Sequence, residues 1–333
     1  MNILVVSGGS GGHVNPAISL INNIKNHHII YLGTKSKIEI NKIPKLNIKY
    51  YLFNNIGLKK GLINKIKFII FLFINFIKSI YVIKKEKINK IITFGGYSSS
   101  SVFLANIFLK KDIYIHEQNS IIGRNNKLML RFARKIFTSF MNTKGIKDKY
   151  KNKVIYSGNL SFFKKKKDHK NFNILIMTGS LGSSSVTNLL KPLLNHYQNI
   201  KMIGGINNEI NHEKIISYSD NMEEILSEID LVITRAGATS LNEISSLAIP
   251  SIIIPSPYVI NNHQKENAFE YLKIKRGFLV EEKDIDINKL TNLVDKIKNN
   301  KFLYEEISKN ASSFYNKDAI NIIIKEMNLC WNF

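Results

Sequence analysis

The sequence predicts an α/β protein with two parallel-sheet domains in tandem. Short apolar runs alternate along the chain with longer stretches that can form crossover helices, which is the pattern of a parallel sheet. This pattern stops and begins again near residue 173, and a glycine-rich loop follows the first strand of each half. With 333 residues, the chain is long enough for two domains that each have a hydrophobic core.

In the first half, six short segments are predicted to be strands because they are rich in β-branched or aromatic residues and end in polar residues or glycine. They are residues 2–7, 28–34, 48–53, 90–96, 113–119 and 136–140. The segments between them are long enough for crossover helices. We expect these elements to form an N-terminal domain over residues 1–160.

The second half repeats the order of strand, Gly/Ser loop and helix over residues 173–190. Further strands are predicted at 200–205, 214–220, 229–237 and 249–257. The lysine-rich run 162–171 predicts a solvated linker. We therefore expect a C-terminal domain over residues 161–333, whose last helix can pack back on the N-terminal domain.

The chain is strongly basic, with 48 Lys and Arg residues against 25 Asp and Glu residues and a net charge of +23. Such a balance favours anionic partners, namely nucleic acid, anionic lipid or phosphorylated substrates. The abundance of Lys, Ile and Asn has a second explanation, the mutational bias of an A+T-rich genome, and both explanations stay open. A single cysteine, Cys330, excludes an internal disulfide. The first apolar run is shorter than the apolar region of a secretory signal.

Residues 57–87 join a long apolar run to lysines on both sides. The central part, from Phe68 to Ile77, is interrupted by Asn75 and is expected to be too short to cross a bilayer. Two interpretations remain: a crossover helix of the core, or a patch that dips into one leaflet while lysines meet anionic head groups. The lysines are Lys59, Lys60, Lys65, Lys67, Lys78, Lys84, Lys85 and Lys87.

The loop SGGSGGH, at residues 7–13, places four glycines and His13 after the first strand. Glycines at the carboxyl end of a parallel strand let backbone N–H groups approach a ligand, and the next helix N-terminus favours negative charge. The loop does not match a dinucleotide fingerprint, which requires glycine where Val14 stands, or a P-loop. We therefore expect a ligand here with His13 in a functional role.

Two loops of the second half follow the same logic. Gly179, Ser180 and Gly182 offer backbone and hydroxyl donors after a strand. A helix is predicted to begin near Ala238, with Thr239 and Ser240 in its first turn, where they suit a phosphate. Glu243, one turn later, can accept both hydroxyls of a ribose. Together the three loops predict a nucleotide-diphosphate ligand in a cleft between the domains.

Five motifs in this order carry a specific resemblance: GGSGGHVNPA, FGGYSS (94–99), HEQNSIIGRNNK (116–127), TRAGATSLNEI and NNHQKENA (261–268). The sequence resembles the MurG family, which transfers GlcNAc from UDP-GlcNAc to the C4 hydroxyl of the MurNAc of lipid I and so forms lipid II in peptidoglycan synthesis. The resemblance implies a GT-B fold of two Rossmann-like domains and an inverting transfer on the cytoplasmic face of the bacterial inner membrane. It also implies an acceptor-binding N-terminal domain and a donor-binding C-terminal domain.

The resemblance assigns roles residue by residue. His13 is the first candidate for the general base and Glu117 the second, since an inverting displacement needs a base on the acceptor hydroxyl. Backbone near Ser219 would meet the uracil, and Glu243 would hold the ribose. Residues for the GlcNAc and the diphosphate are Ser10, Gly11, Gly12, Asn119, Gly179, Ser180, Gly182, Ala238, Thr239, Ser240 and Gln264. No cofactor and no metal are implied, and the Asp-x-Asp pair at 284–286 is expected to be a surface loop.

Three positions depart from the family pattern. Leu160 and Phe162 stand where the family has a proline and an arginine, and Leu181 replaces a glutamine. The missing arginine predicts lowered donor affinity in a simplified but working enzyme. Two other functions remain as alternatives: another GT-B enzyme that uses UDP-GlcNAc, either an epimerase or a lipid-A-type synthase, and a nucleic-acid binder. Only the charge suggests the latter, and no recognised nucleic-acid motif is present.

Overall fold

Two parallel β-sheets form the framework of the protein, and they confirm the α/β fold predicted from the sequence. The computed structural model describes residues 1–55, 61–164, 167–180, 182–207, 209–219, 221–259 and 262–329. The chain divides into two compact units. Unit 1 comprises Met1–Leu160 and Lys317–Phe333, and unit 2 comprises Ser161–Asn316.

Unit 1 contains seven strands among the described residues. They are β1 (Asn2–Val6), β2 (His28–Thr34), β3 (Lys49–Phe53), β4 (Lys90–Thr93), β5 (Asp112–Glu117), β6 (Ala133–Thr138) and β7 (Val154–Tyr156). All pairs are parallel, in the order β3-β2-β1-β4-β5-β6-β7. The helices are α1 (Gly11–Asn23), α2 (Lys37–Lys42), α3 (Leu62–Lys85), α4 (Tyr97–Leu109), α5 (Arg124–Met129) and, from the end of the chain, α12 (Ala319–Glu326). The order 3-2-1-4-5 is that of a doubly wound nucleotide-binding sheet.

Unit 2 contains six strands among the described residues. They are β8 (Ile174–Met177), β9 (Ile200–Ile203), β10 (Ile215–Ile216), β11 (Leu231–Thr234), β12 (Ser251–Ile253) and β13 (Gly277–Leu279). They are parallel and lie in the order β10-β9-β8-β11-β12-β13. The helices are α6 (Ser184–Leu190), α7 (Met222–Ser227), α8 (Ala238–Ser246), α9 (His263–Leu272), α10 (Ile287–Asn299) and α11 (Lys301–Ser312).

The apolar runs form strands because both faces of each sheet are covered by helices. Residues Ile3–Val6 of β1 are all fully buried, which explains why the sequence is continuously apolar there and does not alternate. The parallel register aligns the strand ends. Val6 is the partner of Leu32 in β2 and of Thr93 in β4, so the loops after these strands lie at one edge of the sheet.

Helix α3 corrects one expectation about residues 57–87. It runs unbroken for 24 residues and passes Asn75 and Lys78, so it is long and apolar enough to cross a membrane by length and composition. Asn75 does not end the helix because its side chain is buried and donates hydrogen bonds to the carbonyl of Asn54 and to Oδ1 of Asn55. Only 22% of the apolar window is buried, however, so most of it is not a core helix. Lys59 and Lys60 lie outside the described residues.

Where it is described, the segment 162–171 is solvated, with Lys164, Lys167 and Lys170 exposed, but it belongs to unit 2 and does not link the two units. The backbone N–H groups of Phe163 and Lys164 donate to side chains of α8 and α7, and that of Lys167 donates to the carbonyl of Ser227. At these three residues the segment therefore follows the surface of unit 2, and their N–H groups are satisfied by neighbouring helices. Lys165 and Lys166, in the middle of the run, lie outside the described residues.

Candidate active site

The glycine loop after β1 is held by a buried carboxylate. Gly9, with φ +95°, donates its N–H to Oε2 of Glu39 at 3.1 Å. Glu39 is fully buried and also accepts hydrogen bonds from the backbone N–H of Thr34 and the hydroxyl of Tyr31, both at 2.8 Å. A Cβ on Gly33 would lie 2.0 Å from Glu39 Oε1, so a glycine is required there to make room for the carboxylate.

Ser10, Gly11 and Gly12 lie where the loop becomes helix α1. Ser10 is the residue before the helix, and its carbonyl accepts the N–H groups of His13 and Val14 at 3.1 Å. Its side chain makes no capping hydrogen bond to the helix. Gly11 is buried and Gly12 is exposed. The predicted arrangement of glycine loop followed by helix N-terminus is confirmed.

The glycines of the motif FGGYSS are needed because the loop after β4 approaches the loop after β1 closely. A Cβ on Gly96, which has φ +89°, would lie 2.3 Å from the carbonyl oxygen of Gly8. The hydroxyl of Ser98 donates to the carbonyl of Ser7, and Asn125 Nδ2 donates to the carbonyl of Gly96 at 2.7 Å. Three of the sequence motifs therefore meet at the carboxyl edge of the unit 1 sheet.

Glu117, the second candidate for the base, is saturated by hydrogen bonds. Its Oε1 accepts the backbone N–H and Nδ2 of Asn119 at 3.0 and 3.3 Å, and its Oε2 accepts the N–H of Gly123 and Nδ2 of Asn126 at 2.8 Å. An ionised carboxylate has about four acceptor sites. These contacts occupy that capacity and organise the loop 117–126, so we interpret Glu117 as a residue that positions Asn119.

His13 lies in the first turn of α1, half-buried beside the loop after β4. Its Nδ1 is 2.9 Å from Oε1 of Gln118, and its ring is close to Gly95, where an added Cβ would lie 3.4 Å from Cε1. Within the described part of the chain, its Nε2 makes no hydrogen bond. The Nδ1 side of the ring is therefore fixed by Gln118, while the Nε2 side has no hydrogen-bond partner among the described residues.

The corresponding loop of unit 2 also depends on glycine. Gly182 and Gly205 both have positive φ, and a Cβ on Gly182 would lie 2.4 Å from the carbonyl of Gly204. Gly179, at φ +105°, has open space around its Cα hydrogen, and Ser180 is exposed. These residues leave bare backbone and one hydroxyl at the end of β8. Leu181 lies outside the described residues.

Helix α8 begins at Ala238, as predicted, with Gly237 before it and no side-chain cap on its first turn. Ala238 and Thr239 are buried, and Ser240 is half-buried. Its first turn contains no acidic residue, so the positive end of the helix is not neutralised within it. Glu243 is nearly buried, at 7% exposure, and Oε1 accepts a hydrogen bond from the hydroxyl of Ser161 at 2.5 Å.

Ser219 and Gln264 occupy less enclosed positions. The hydroxyl of Ser219 accepts the N–H of Asn221, the residue directly before α7. Ser219 also lines a groove of about 640 Å³ together with Lys214. Gln264 lies in the first turn of α9, where its Oε1 accepts the N–H of Ser256 at 2.8 Å. Within the described residues, its amide nitrogen makes no hydrogen bond.

Three residues of the site were not identified from the sequence: Glu39, Gln118 and Arg235. Arg235 is nearly buried after β11, pairs with Glu282 at 2.7 Å and donates to the hydroxyl of Ser183 at 3.3 Å. It thus ties the second glycine loop to the TRAG motif. An arginine directly after an apolar strand was the available signal. For Glu39 the signal was Ser36 three residues earlier, the spacing of a capping box.

The departures at 160 and 162 are packed into the protein. Leu160 is fully buried, and the ring of Phe162 lies 5.2 Å from that of Tyr315. The position of the family arginine is therefore taken by an aromatic pair. In the stretch 284–286, Asp286 caps α10 through the N–H of Lys289. Among the residues that the structure describes, no group of three or more His, Cys, Asp or Glu side chains is placed to hold a metal ion.

Comparison with known proteins agrees with this geometry. Residues 3–138 match the glycosyltransferase family 28 N-terminal domain, and residues 161–322 match its C-terminal domain. The UDP-N-acetylglucosamine--N-acetylmuramyl-(pentapeptide) pyrophosphoryl-undecaprenol N-acetylglucosamine transferase of Pediococcus pentosaceus is 33% identical over 89% of this chain and 90% of its own. The transferase of the same name from Clostridioides difficile is 30% identical over 100% of this chain and 90% of its own.

Two solved structures show the same fold. MurG of Acinetobacter baumannii has a TM-score of 0.75 at 21% identity, with 99% of each chain covered. A putative UDP-N-acetylglucosamine 2-epimerase of Listeria monocytogenes has a TM-score of 0.71 at 13% identity, with 98% of this chain and 96% of that chain covered. The two family domains and the full-length relatives identify the chain as an enzyme: it belongs to glycosyltransferase family 28, within the MurG family of N-acetylglucosaminyltransferases.

Proposed function

We propose that this enzyme transfers GlcNAc from UDP-GlcNAc to the C4 hydroxyl of the MurNAc of lipid I, with inversion, and so produces lipid II for peptidoglycan synthesis. The names of its full-length relatives support this reaction. The single observation that carries the proposal is the site in unit 1, where the loops 7–13, 94–99 and 116–126 meet around a histidine with an available Nε2. A UDP-GlcNAc 2-epimerase shares the fold, but fold alone does not distinguish the two reactions.

In unit 2 we assign the donor nucleotide to the edge formed by α8 and the second glycine loop. The uncapped N-terminus of α8 suits the diphosphate, with Ala238, Thr239 and Ser240 around it and Ser180 on the neighbouring loop. Glu243, whose Oε1 accepts from Ser161, is nearly buried below the helix start, and we assign it to the ribose hydroxyls. Backbone near Ser219 would meet the uracil.

The GlcNAc and the diphosphate also need partners beyond α8. Gln264 can donate from its amide nitrogen to a GlcNAc hydroxyl, and Asn119 can accept from one through its amide oxygen. The backbone at Ser10, Gly11 and Gly12, and at Gly179 and Gly182, is bare enough for close approach. As charge develops on the leaving UDP, helix N-terminal N–H groups stabilise it without a metal ion.

For the base we choose His13 over Glu117, because Nε2 of His13 is available whereas the carboxylate oxygens of Glu117 are occupied. His13→Ala should lower kcat by about 10²–10⁴ with donor binding largely kept. The test is transfer from labelled UDP-GlcNAc to a lipid I analogue, with analysis of both the lipid and the nucleotide products. Release of UDP with no lipid II, accompanied by a 2-epimerised sugar, would identify an epimerase instead.

We further propose that α3 docks the enzyme on the cytoplasmic face of the inner membrane. Its outward side chains are large and apolar: Ile63, Ile66, Ile69, Ile70, Phe73, Ile74, Ile77 and Tyr81, each at least 41% exposed. Lys65, Lys67, Lys78, Lys84, Lys85 and Lys87 are also exposed. Apolar contact with one leaflet together with lysines at anionic head groups is the pattern of a peripheral membrane surface.

Docking on the surface fits the topology better than crossing. Helix α3 connects β3 to β4, and both strands belong to the same parallel sheet. A helix that crossed the bilayer would place its two ends about 30 Å apart on opposite sides. That separation would divide one hydrogen-bonded sheet between two aqueous compartments. Because the lysines lie beside an exposed apolar face, we expect their partner to be anionic lipid and not nucleic acid.

A further inference from the structure

A chain of hydrogen bonds with defined polarity reaches His13 from the end of β7. It begins at the carbonyl of Gly158, which lies 3.1 Å from Nε2 of His116. A carbonyl oxygen only accepts, so Nε2 of His116 carries the proton. His116 is fully buried, and this burial lowers its pKa to about 4. The ring is therefore neutral at pH 7, and its Nδ1 is an acceptor.

The amide of Gln118 continues the chain in one orientation. Its nitrogen lies 3.0 Å from Nδ1 of His116 and 3.2 Å from the backbone carbonyl of His116. Both partners are acceptors, so the amide nitrogen must face them with its two hydrogens. Gln118 is nearly fully buried, so water does not compete for these bonds. The amide oxygen then faces the other way, 2.9 Å from Nδ1 of His13.

We propose that Gln118 is a positioning residue that fixes the tautomer of His13, with the proton on Nδ1 and the lone pair on Nε2. The opposite tautomer would set a lone pair of Nδ1 against a lone pair of the amide oxygen. In water, free histidine prefers that opposite tautomer, with the proton on Nε2. We call this hydrogen-bonded chain, from Gly158 through His116 and Gln118 to His13, the relay. It works against the intrinsic tautomer preference of the His13 ring and leaves the unprotonated nitrogen, Nε2, on the side away from Gln118.

The inference rests on the proposed function in one respect, the role of His13 as the base. In that role, Nε2 takes the proton of the acceptor C4 hydroxyl as its oxygen forms a bond to C1 of GlcNAc. The bond from C1 to the β-phosphate oxygen breaks, and its electron pair leaves with UDP. The imidazolium so formed keeps its Nδ1–H on the amide oxygen of Gln118, which stabilises the charge, and Nε2 then releases its proton to water.

The tautomer can be measured without activity. Long-range ¹H–¹⁵N correlation spectra of the full-length protein with ¹⁵N-labelled histidine separate a protonated from an unprotonated ring nitrogen, and His13→Ala assigns the signals. We expect wild-type His13 to be protonated on Nδ1 at neutral pH. Protonation on Nε2 in the wild-type protein would overturn the relay, whatever any variant does.

Two substitutions separate the relay from simple packing. Gln118→Met keeps the length of the side chain but removes both polar ends, so His13 should shift toward the Nε2–H tautomer. We expect kcat to fall about 10–100-fold with little change in donor KM, because the base is misoriented while the nucleotide contacts assigned to unit 2 are kept. Gln118→Glu keeps an acceptor opposite Nδ1 of His13 and should retain the wild-type tautomer of that ring. Its second oxygen opposes two acceptors of His116, so the tautomer of His13, and not stability, is its readout.

The outcomes distinguish the relay from the assignment of the base. An unchanged tautomer in a folded Gln118→Met protein would overturn the relay. Near-normal kcat in His13→Ala would remove His13 as the base, and the spectra would still decide the tautomer on their own. If Gln118→Met does not fold, the wild-type spectrum remains decisive.

Discussion

The backbone N–H of Gly9 lies 3.1 Å from Oε2 of Glu39, although the two residues are 30 positions apart in the sequence. This hydrogen bond connects the first glycine loop of the site to the first turn of α2. The carboxylate is fully buried and is surrounded by donors from β2 and α2. The site loop is therefore held by a carboxyl group that is itself buried.

Replacing the buried carboxylate of Glu39 should lower the free energy of unfolding more than replacing an exposed carboxylate does. In Glu39→Gln, the amide nitrogen must face N–H or O–H donors, so about 2–4 kcal/mol of unfolding free energy should be lost. Urea unfolding measures this difference, with Glu305→Gln as the control because that side chain is 59% exposed. Equal midpoints for the two variants would show that Glu39 does not hold the loop.

The close approach of the two glycine loops predicts unequal effects at Gly9 and Gly96. Both have positive φ, so alanine at either position costs about 1–2 kcal/mol of backbone strain. At Gly9 the new methyl group meets nothing within 4 Å, whereas at Gly96 it lies 2.3 Å from the carbonyl of Gly8. Gly96→Ala should therefore lose about 1–3 kcal/mol more than Gly9→Ala in the same urea experiment. A smaller loss at Gly96 would contradict the contact.

The ribose assignment predicts a binding defect in Glu243→Ala. Removing a nearly buried carboxylate that accepts ligand hydroxyls should weaken UDP-GlcNAc binding by about 1–3 kcal/mol, or about 5–150-fold in Kd. Isothermal calorimetry measures the affinity, and Glu306→Ala, on the exposed side of α11, is the matched control. Unchanged affinity in a folded Glu243→Ala protein would exclude the ribose contact.

The buried ring of His116 predicts a dependence of stability on pH. Its folded pKa, about 4, lies below the ordinary value of 6.5, so the unfolded chain binds a proton more readily. The contribution of the neutral ring is complete above about pH 6.5 and is lost as the pH falls toward 4, up to about 3 kcal/mol. In His116→Gln this loss is absent, so the stability difference from wild type should narrow between pH 7 and pH 4.5. Urea midpoints at pH 7 and pH 4.5 measure this stability difference, and the exposed His28→Gln is the control. If the difference between His116→Gln and wild type does not change with pH, the buried ring of His116 is not the cause.

The membrane surface predicts salt-sensitive binding to anionic vesicles. Replacing Lys84 and Lys85 by Gln should weaken partitioning by about 2 kcal/mol, or about 30-fold, because each lysine contributes about 1 kcal/mol near such a surface. Phe73→Ser should weaken it independently of salt. Co-sedimentation with and without anionic lipid measures the binding, and Lys301→Gln with Lys309→Gln is the control. If the wild-type protein does not bind anionic vesicles, α3 is not a membrane-binding surface. If the bound protein is released by neither salt nor alkali, α3 crosses the bilayer.

Sequence reasoning predicted the parts of this structure that depend on local composition. The strand at 28–34 and the start of α8 at Ala238 agree with the prediction, because β-branched runs and glycine-bounded helices are local signals. The edge strands β7 and β13 were missed. Each has three residues, and neither is fully buried, so neither carries a distinct apolar pattern.

In the candidate site, too, the local features were predicted from the sequence and the long-range contacts were not. Glycines that allow close backbone contact, such as Gly96 and Gly182, were marked by their motifs, but the partner across the contact was not. The long-range partners of Gly9 and His13 come after β2 and β5, whose places relative to β1 are set by the strand order of the complete sheet. The apolar part of α3 was judged too short because it was bounded at Phe68 and Ile77 and interrupted by Asn75. The helix instead continues through Asn75, whose side chain donates to the carbonyl of Asn54.

The return of the chain to unit 1 has a consequence for synthesis on the ribosome. Helix α12 belongs to unit 1, where Glu326 lies 3.5 Å from Lys135 and Lys90 donates to the carbonyl of Met327. A nascent chain that has just completed unit 2 still lacks this helix, so the first unit to be translated is the last to be finished. A chain that ended at residue 316 would keep the described strands of unit 2 but lack Ile320 and Ile323, and the unit 1 surface that these buried side chains cover would be exposed.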